Sequence, residues 1–396
     1  MTVPAPRARR RPAGRVLPLL LVVALLAPMG VLARQTWQLT DDDRSLAVRE
    51  RLGVEYLRAL APVTAALVDA QSAAVAGRRP SGSALSAAVE GAATVDARIG
   101  GLLRSQERWA GLRAKLEALR DRGVGDPEAA FTAYGEVTDL LLDLHRKVRE
   151  SSGLVRDPEP DSSFLQDAAG QELPEAMVAA GRLADLAVLA AGRPAADRAR
   201  TLTELAALRI GALVPAGDLV DDLRAAVDSS ESTDLGGTVL TPLDTYQRAV
   251  EALAVASAPG RAAVLDPAPV VGARLNAHAA AGQLQPVILA ELDTLLAARV
   301  DRLDRERWLL LGASGLAVLL LAVLAGLLVA AARRTRRRAA PAASPSEEAD
   351  APPDTPPWPP RPGPDGVRAG EPRPLEPAGR PVDPEAVRWG PVDAAR

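Results

Sequence analysis

Five acids and four serines fall within residues 150–167, ESSGLVRDPEPDSSFLQD, in a chain otherwise built from runs of Ala, Leu, Val and Arg. Grouped carboxylates and hydroxyls of this kind can support several chemistries. Oxygen donors alone suit calcium or magnesium. Paired carboxylates can divide acid and base work on a glycosidic bond. The same groups can also contact a polar ligand, or form an ion-paired helix corner with arginines. Glycosidase chemistry is the weakest of these, because the acidic corner has no aromatic cleft around it to hold a sugar.

Local punctuation accounts for most of the stretch. A helix from about Pro127 to Ser152 stops at Gly153, and Asp157 is pushed out of the α region by Pro158. Asp161 reads as the N-cap of a short helix ending by Gly170, and Pro174 suits the first turn of the next. What punctuation leaves over is the gathering of Asp157, Glu159 and Asp161 at one junction.

Other catalytic chemistry finds little support. There are no cysteines, and only His145 and His278 among histidines, so zinc sites and histidine-dependent triads have little to build on. His145, beside Asp143 and Arg146, reads as a bundle-edge residue. DLVDDLRAAVD at 218–228 reads as a solvated acidic face, and DLGGT at 234–238 lacks the lysine of a phosphate loop. The chain is expected to be no enzyme and to need no cofactor or metal.

Two apolar runs frame the segment that must position the acidic stretch. Residues 16–33 and 308–332 are 18 and 25 residues without a charge. Roughly 20 helical residues cross a bilayer, so both are expected to span, the first remaining as an uncleaved anchor. Arg7, Arg9, Arg10, Arg11 and Arg15 precede the first run, and RRTRRR at 333–338 follows the second. Positive flanks stay in the cytoplasm, which predicts a plasma-membrane protein with two spans and both termini inside. Between the runs, 31 basic side chains face 40 acidic ones, so residues 34–307 form an acidic extracytoplasmic segment.

That segment reads as all-α. Spacings of three and four recur in Leu52, Tyr56, Leu60, Val63, Leu67 and Ala70, and again in Phe131, Tyr134, Val137, Leu141, Leu144 and Val148. Leu289, Leu292, Leu296, Val300 and Leu303 repeat the pattern before the second apolar run. Breaks at AGRRPSG (76–82), RGVGDP (122–127), GRP (192–194) and the loops near 232–243 and 258–272 predict six or seven helices. Gly282 and Pro286 are expected to break or kink the last one. The expected architecture is an elongated antiparallel helical bundle between two transmembrane helices. Residues 339–396 hold 16 of the 34 prolines and are expected to be a disordered cytoplasmic tail. In it, PPDTPPWPPRPGP at 352–364 is dense enough to dock a cytoplasmic protein partner in an aromatic groove. RRTRRR reads as a topology signal with affinity for anionic lipid, and no nucleic acid is expected.

SSGLVRDPEPDSSFLQDAAGQELPEAM resembles a motif of the extracytoplasmic helical sensor modules of bacterial chemotaxis receptors and sensor histidine kinases, of the nitrate- and nitrite-sensing kind. GVEYLRAL at 53–60 and WAGL at 109–112 are similar to the same modules' first and second helices. The resemblance covers about residues 34–190. It implies a ligand-contacting set of Asp157, Asp161, Ser162 and Asp167, with Tyr56 and Arg58 from the first helix, and a homodimer receiving a small molecule or anion outside. Two departures stand out. Ser163-Phe164 replaces the usual tyrosine pair, and nothing after the second apolar run resembles the modules' signalling adaptor or output domain. The expected function is a sensor-like protein coupled through its spans to a separate cytoplasmic partner. The alternative is an envelope scaffold acting through the proline-rich tail.

Overall fold

A computed structural model describes residues 17–122, 125–155, 160–230, 233–258 and 266–338. Among the described residues every regular element is helical. The chain divides into Met1–Thr335 and Arg336–Arg396, and all packing described below lies in the first unit.

In order, the elements are α1 (Leu17–Val75), α2 (Gly82–Val95), α3 (Gly101–Leu103), α4 (Gln106–Arg122), α5 (Pro127–Ser152), α6 (Pro160–Asp167), α7 (Leu173–Gly192), α8 (Arg198–Ser229), α9 (Thr233–Ala256) and α10 (Pro267–Arg338). π-helical turns at Asp96–Gly100 and Ala168–Glu172 join α2 to α3 and α6 to α7 without a break. The described residues therefore make eight rods, one more than the punctuation predicts. The extra reversal lies between α3 and α4, where Arg104, and not a glycine, adopts a left-handed φ of 52°.

The three predicted stripes are buried almost throughout, with only Leu52 and Phe131 partly exposed. α1 packs on α2, α5 and α7, α4 packs on α5, and α8 packs on α7 and α9. Small residues set the closest approach. A Cβ on Gly181 of α7 would lie 2.6 Å from Val68 of α1.

The break near 232 is shorter than predicted, since α8 ends at Ser229 and α9 starts at Thr233 and continues past Pro242, while α10 starts at Pro267 and is not broken at Gly282 or Pro286. A mid-helix proline costs about 3 kcal/mol. Burial of Leu284, Ile288, Leu289 and Leu292 within a few residues of Pro286 outweighs that, at about 1.5–3 kcal/mol per side chain. Likewise Gly170 does not end a helix but sits in the second π turn.

α10 includes a helical stretch long and apolar enough to cross a membrane, with none of it covered by protein. Trp308 at its start is 74 % exposed, and Leu309, Leu320 and Leu327 are also bare. Asp157 and the proline-rich tail lie outside the described residues.

Candidate functional site

The acidic corner is built where α5 stops. Gly153 closes α5 with φ 95°, and its N–H donates to the Arg149 carbonyl at 3.1 Å. α1 passes so close that a Cβ on Gly53 would stand 2.8 Å from Leu154 Cδ1. On the last turn of α5, Arg149 is turned inward, with 6 % of its side chain exposed. Its guanidinium donates to Asp167 at the end of α6 and to Gln171 in the second π turn. Gly170 makes the room, since a Cβ there would lie 2.5 Å from Arg149 Cδ. A buried arginine needs such partners, because an unpaired buried charge costs several kcal/mol.

The sequence-predicted residues separate around this corner. Asp167 belongs to it and Ser162 is buried beside it on α6. Asp161 stands in the first turn of α6, which begins at Pro160, so it is not the N-cap. Tyr56 and Arg58 have other engagements. The first π turn delivers Asp96 to the Tyr56 hydroxyl, which donates at 2.7 Å, and Ser105 donates to the same carboxylate oxygen at 3.2 Å. Arg58 lies more than a turn beyond Gly53 and donates to the Leu289 carbonyl of α10 at 3.2 Å. The arginine that meets a corner carboxylate is Arg149, whose signal in the sequence is a cation directly after Val148 of the buried stripe.

Behind the corner, acids meet acids. Glu172 of the second π turn is hydrogen-bonded to Asp222 of α8, with Asp167 and Asp218 adjacent. Burial, then Asp222, raises the Glu172 carboxyl to about 8, and burial also raises Asp222. The predicted solvated face at 218–228 is thus only partly solvated. Further along α7, burial raises Asp185 to about 6, although Gln71 donates to it at 2.9 Å. His145 is a core residue and not an edge one. Its Nε2 is 3.2 Å from the Thr64 hydroxyl, and burial first, then Arg149, lowers its pKa to about 3.

These shifts have opposite signs in stability. Raised carboxyls bind more protons folded than unfolded, so their contribution is full below about 4.5 and lost as pH rises through about 8. The neutral His145 contributes above 6.5, and that contribution is lost as pH falls toward 3. Between pH 6.5 and 8 only the first trend remains. Stability is expected to fall across that interval, and Glu172→Gln is expected to flatten the fall, as denaturant midpoints measured at each pH would show. An unchanged slope in that variant would remove Glu172 as its source.

A polar seam joins α1 to α10. Asp41 pairs with Arg307 at 3.1 Å, Arg44 with Asp304 at 2.6 Å, Arg51 with Asp293 at 2.9 Å and Asp69 with Arg274 at 2.9 Å. Partner numbers fall along α10 as they rise along α1, so the two helices are antiparallel. Most of these pairs are solvent-screened and contribute about 0–1 kcal/mol each. Glu50 and Arg299 differ, at 3.6 Å with 0 % and 6 % of their side chains exposed. At the apolar end of the seam, the Arg307 guanidinium lies over the Trp37 ring, 4.4 Å from its centroid.

Among the described residues no group of three or more acids and histidines could hold a metal ion. The corner's geometry offers charge pairing at Arg149 and, at Glu172 beside Asp222, a carboxyl whose pKa is raised to about 8. No protein-family model, no curated protein and no solved structure matches the chain.

Proposed function

We propose that the chain is a sensor-like membrane protein, an antiparallel extracytoplasmic bundle held by two spans, α1 and α10, with both termini in the cytoplasm. The observation that carries the reading is the α1–α10 seam. α1 runs without a break from Leu17 to Val75, and α10 continues from the bundle into its uncovered apolar segment. Ion pairs link them from Asp41–Arg307 to Asp69–Arg274. A displacement imposed on either helix outside has a rigid route to the membrane. The corner at Arg149, Asp167 and Gln171 packs where α1 leaves that membrane, with Leu46 against Gly153. Occupancy outside by a small solute or partner would be passed inward to a separate cytoplasmic protein bound by the proline-rich tail, and a parallel homodimer in the membrane would amplify the displacement.

The absence of cysteine makes a topology test direct. Single cysteines replacing exposed Ser83 and tail residue Ser344 are treated in intact cells with a membrane-impermeant maleimide. Ser83→Cys is expected to react at once and Ser344→Cys only after permeabilisation. Labelling of Ser344→Cys in intact cells would end the two-span reading.

A further inference from the structure

We propose that a cleft at the far end of the packed helices binds an amphipathic organic monoanion, with its acid group on Arg78 and Arg79 and its apolar body on Leu85, Val89 and Leu116. The inference rests on the preceding section only in placing the cleft outside the membrane. The α2–α4 hairpin closes tightly at its turn, where Leu103, Trp109 and Leu112 are buried, and parts from α1 and α5 at the other end. The opening is about 880 Å³, within the roughly 300–1,000 Å³ typical of small-molecule sites. It lies about 50 Å along α1 from Asp41, so the lipid surface does not reach it and a free solute is the occupant.

Two sets of groups in the cleft lack protein partners. Arg78 and Arg79 are exposed on the rim, and neither guanidinium makes a hydrogen bond or ion pair with a described residue. Tyr134 lines the cleft with its hydroxyl open to solvent and makes no hydrogen bond to a described residue. That hydroxyl is free to bond a ligand oxygen.

Charge decides the class. Four arginines line the cleft against Glu90, Glu117 and Asp126, an excess of one positive charge. Arg113 is paired with Glu117 at 3.4 Å, and Asp126 caps α5 by accepting from the Ala129 N–H at 2.8 Å. The arginines left for a ligand are adjacent in sequence and together can grip a carboxylate. Between them and Tyr134 the floor is aliphatic, so an inorganic anion would leave it uncovered.

The test is calorimetric titration of the full chain in lipid nanodiscs with naphthoate, its neutral amide and inorganic phosphate, and empty nanodiscs as the blank. Naphthoate is expected to bind one per chain, and the amide and phosphate at least tenfold more weakly. Arg78→Ala with Arg79→Ala should weaken naphthoate roughly tenfold or more. Tyr134→Phe should weaken it several-fold, and Leu116→Trp should block it while the melting temperature is retained. Equal binding of naphthoate and amide, or no loss in the double arginine variant, overturns the proposal. If Leu116→Trp fails to fold, the arginine pair and Tyr134→Phe decide alone. Binding that survives alongside outward labelling of Ser344→Cys would keep the cleft and discard the two-span reading. Correct labelling without naphthoate binding would do the reverse.

Discussion

Arg299→Ala is expected to lower the stability of the full chain by about 3–5 kcal/mol, the scale of breaking a buried ion pair. Glu50, on α1, is fully buried, and Arg299 is its partner from α10 across the seam. Removing the cation takes away a charge partner from a fully buried carboxylate. The reciprocal variant Glu50→Ala should cost a similar amount. The combined Glu50→Leu and Arg299→Leu protein should recover most of the loss, since an apolar pair of similar volume is about as stable as a buried ion pair. Denaturant titration of the three proteins in the same detergent checks this. If Arg299→Ala costs no more than about 1 kcal/mol, the pair behaves as a solvent-exposed one and the seam is not closed at that level. Arg44→Ala at the screened pair below is the internal comparison, with an expected cost of about 0–1 kcal/mol.

The second large effect belongs to Gly153→Ala, expected to cost about 2–5 kcal/mol. A φ of 95° is foreign to a residue with a Cβ, which contributes about 1–2 kcal/mol. The new methyl would also run into Leu46 of α1, and overpacking of this kind costs about 1–3 kcal/mol. The two parts separate experimentally. Adding Leu46→Ala to Gly153→Ala relieves the collision but not the backbone strain, so it should return part of the loss. A Gly153→Ala protein within about 0.5 kcal/mol of the parent would mean that α5 ends without the left-handed residue. Gly170→Ala is a milder relative, because the side chain it meets, Arg149, is longer and can shift.

Both positions show how far the sequence reaches. Gly153 was legible as a helix stop because a glycine after a long periodic run is a local signal, and α5 does end there. Its second role, letting α1 pass, could not be read from neighbours in the chain, because Leu46 is more than a hundred residues away. Arg299 carries a faint signal, a charge three residues after Leu296 of the third stripe, whereas Glu50 precedes the first stripe and carries none. Neither position says which partner will face it. The same limit explains Tyr56 and Arg58. Their place on α1 was evident, yet their hydrogen bonds go to Asp96 and to the Leu289 carbonyl, which no local spacing connects to them. The missed reversal at Arg104 and the uninterrupted α9 and α10 are the converse case. There the usual glycine and proline residues lie inside helices and the turn falls on another residue, or packing outweighs them.

The sequence by itself therefore determined that residues 34–307 fold as helices, which faces of α1, α5 and α10 carry buried stripes, and where an apolar stretch long enough for a bilayer lies. These follow from periodicity and composition, which act over a few turns. Only the tertiary structure decided that Arg149 meets Asp167 and Gln171, that Glu172 is buried beside Asp222 with its pKa raised, and that α1 and α10 pair from Asp41–Arg307 to Asp69–Arg274. Those pairings depend on the register and facing of helices far apart in the chain, which is set by how their side chains interlock in three dimensions.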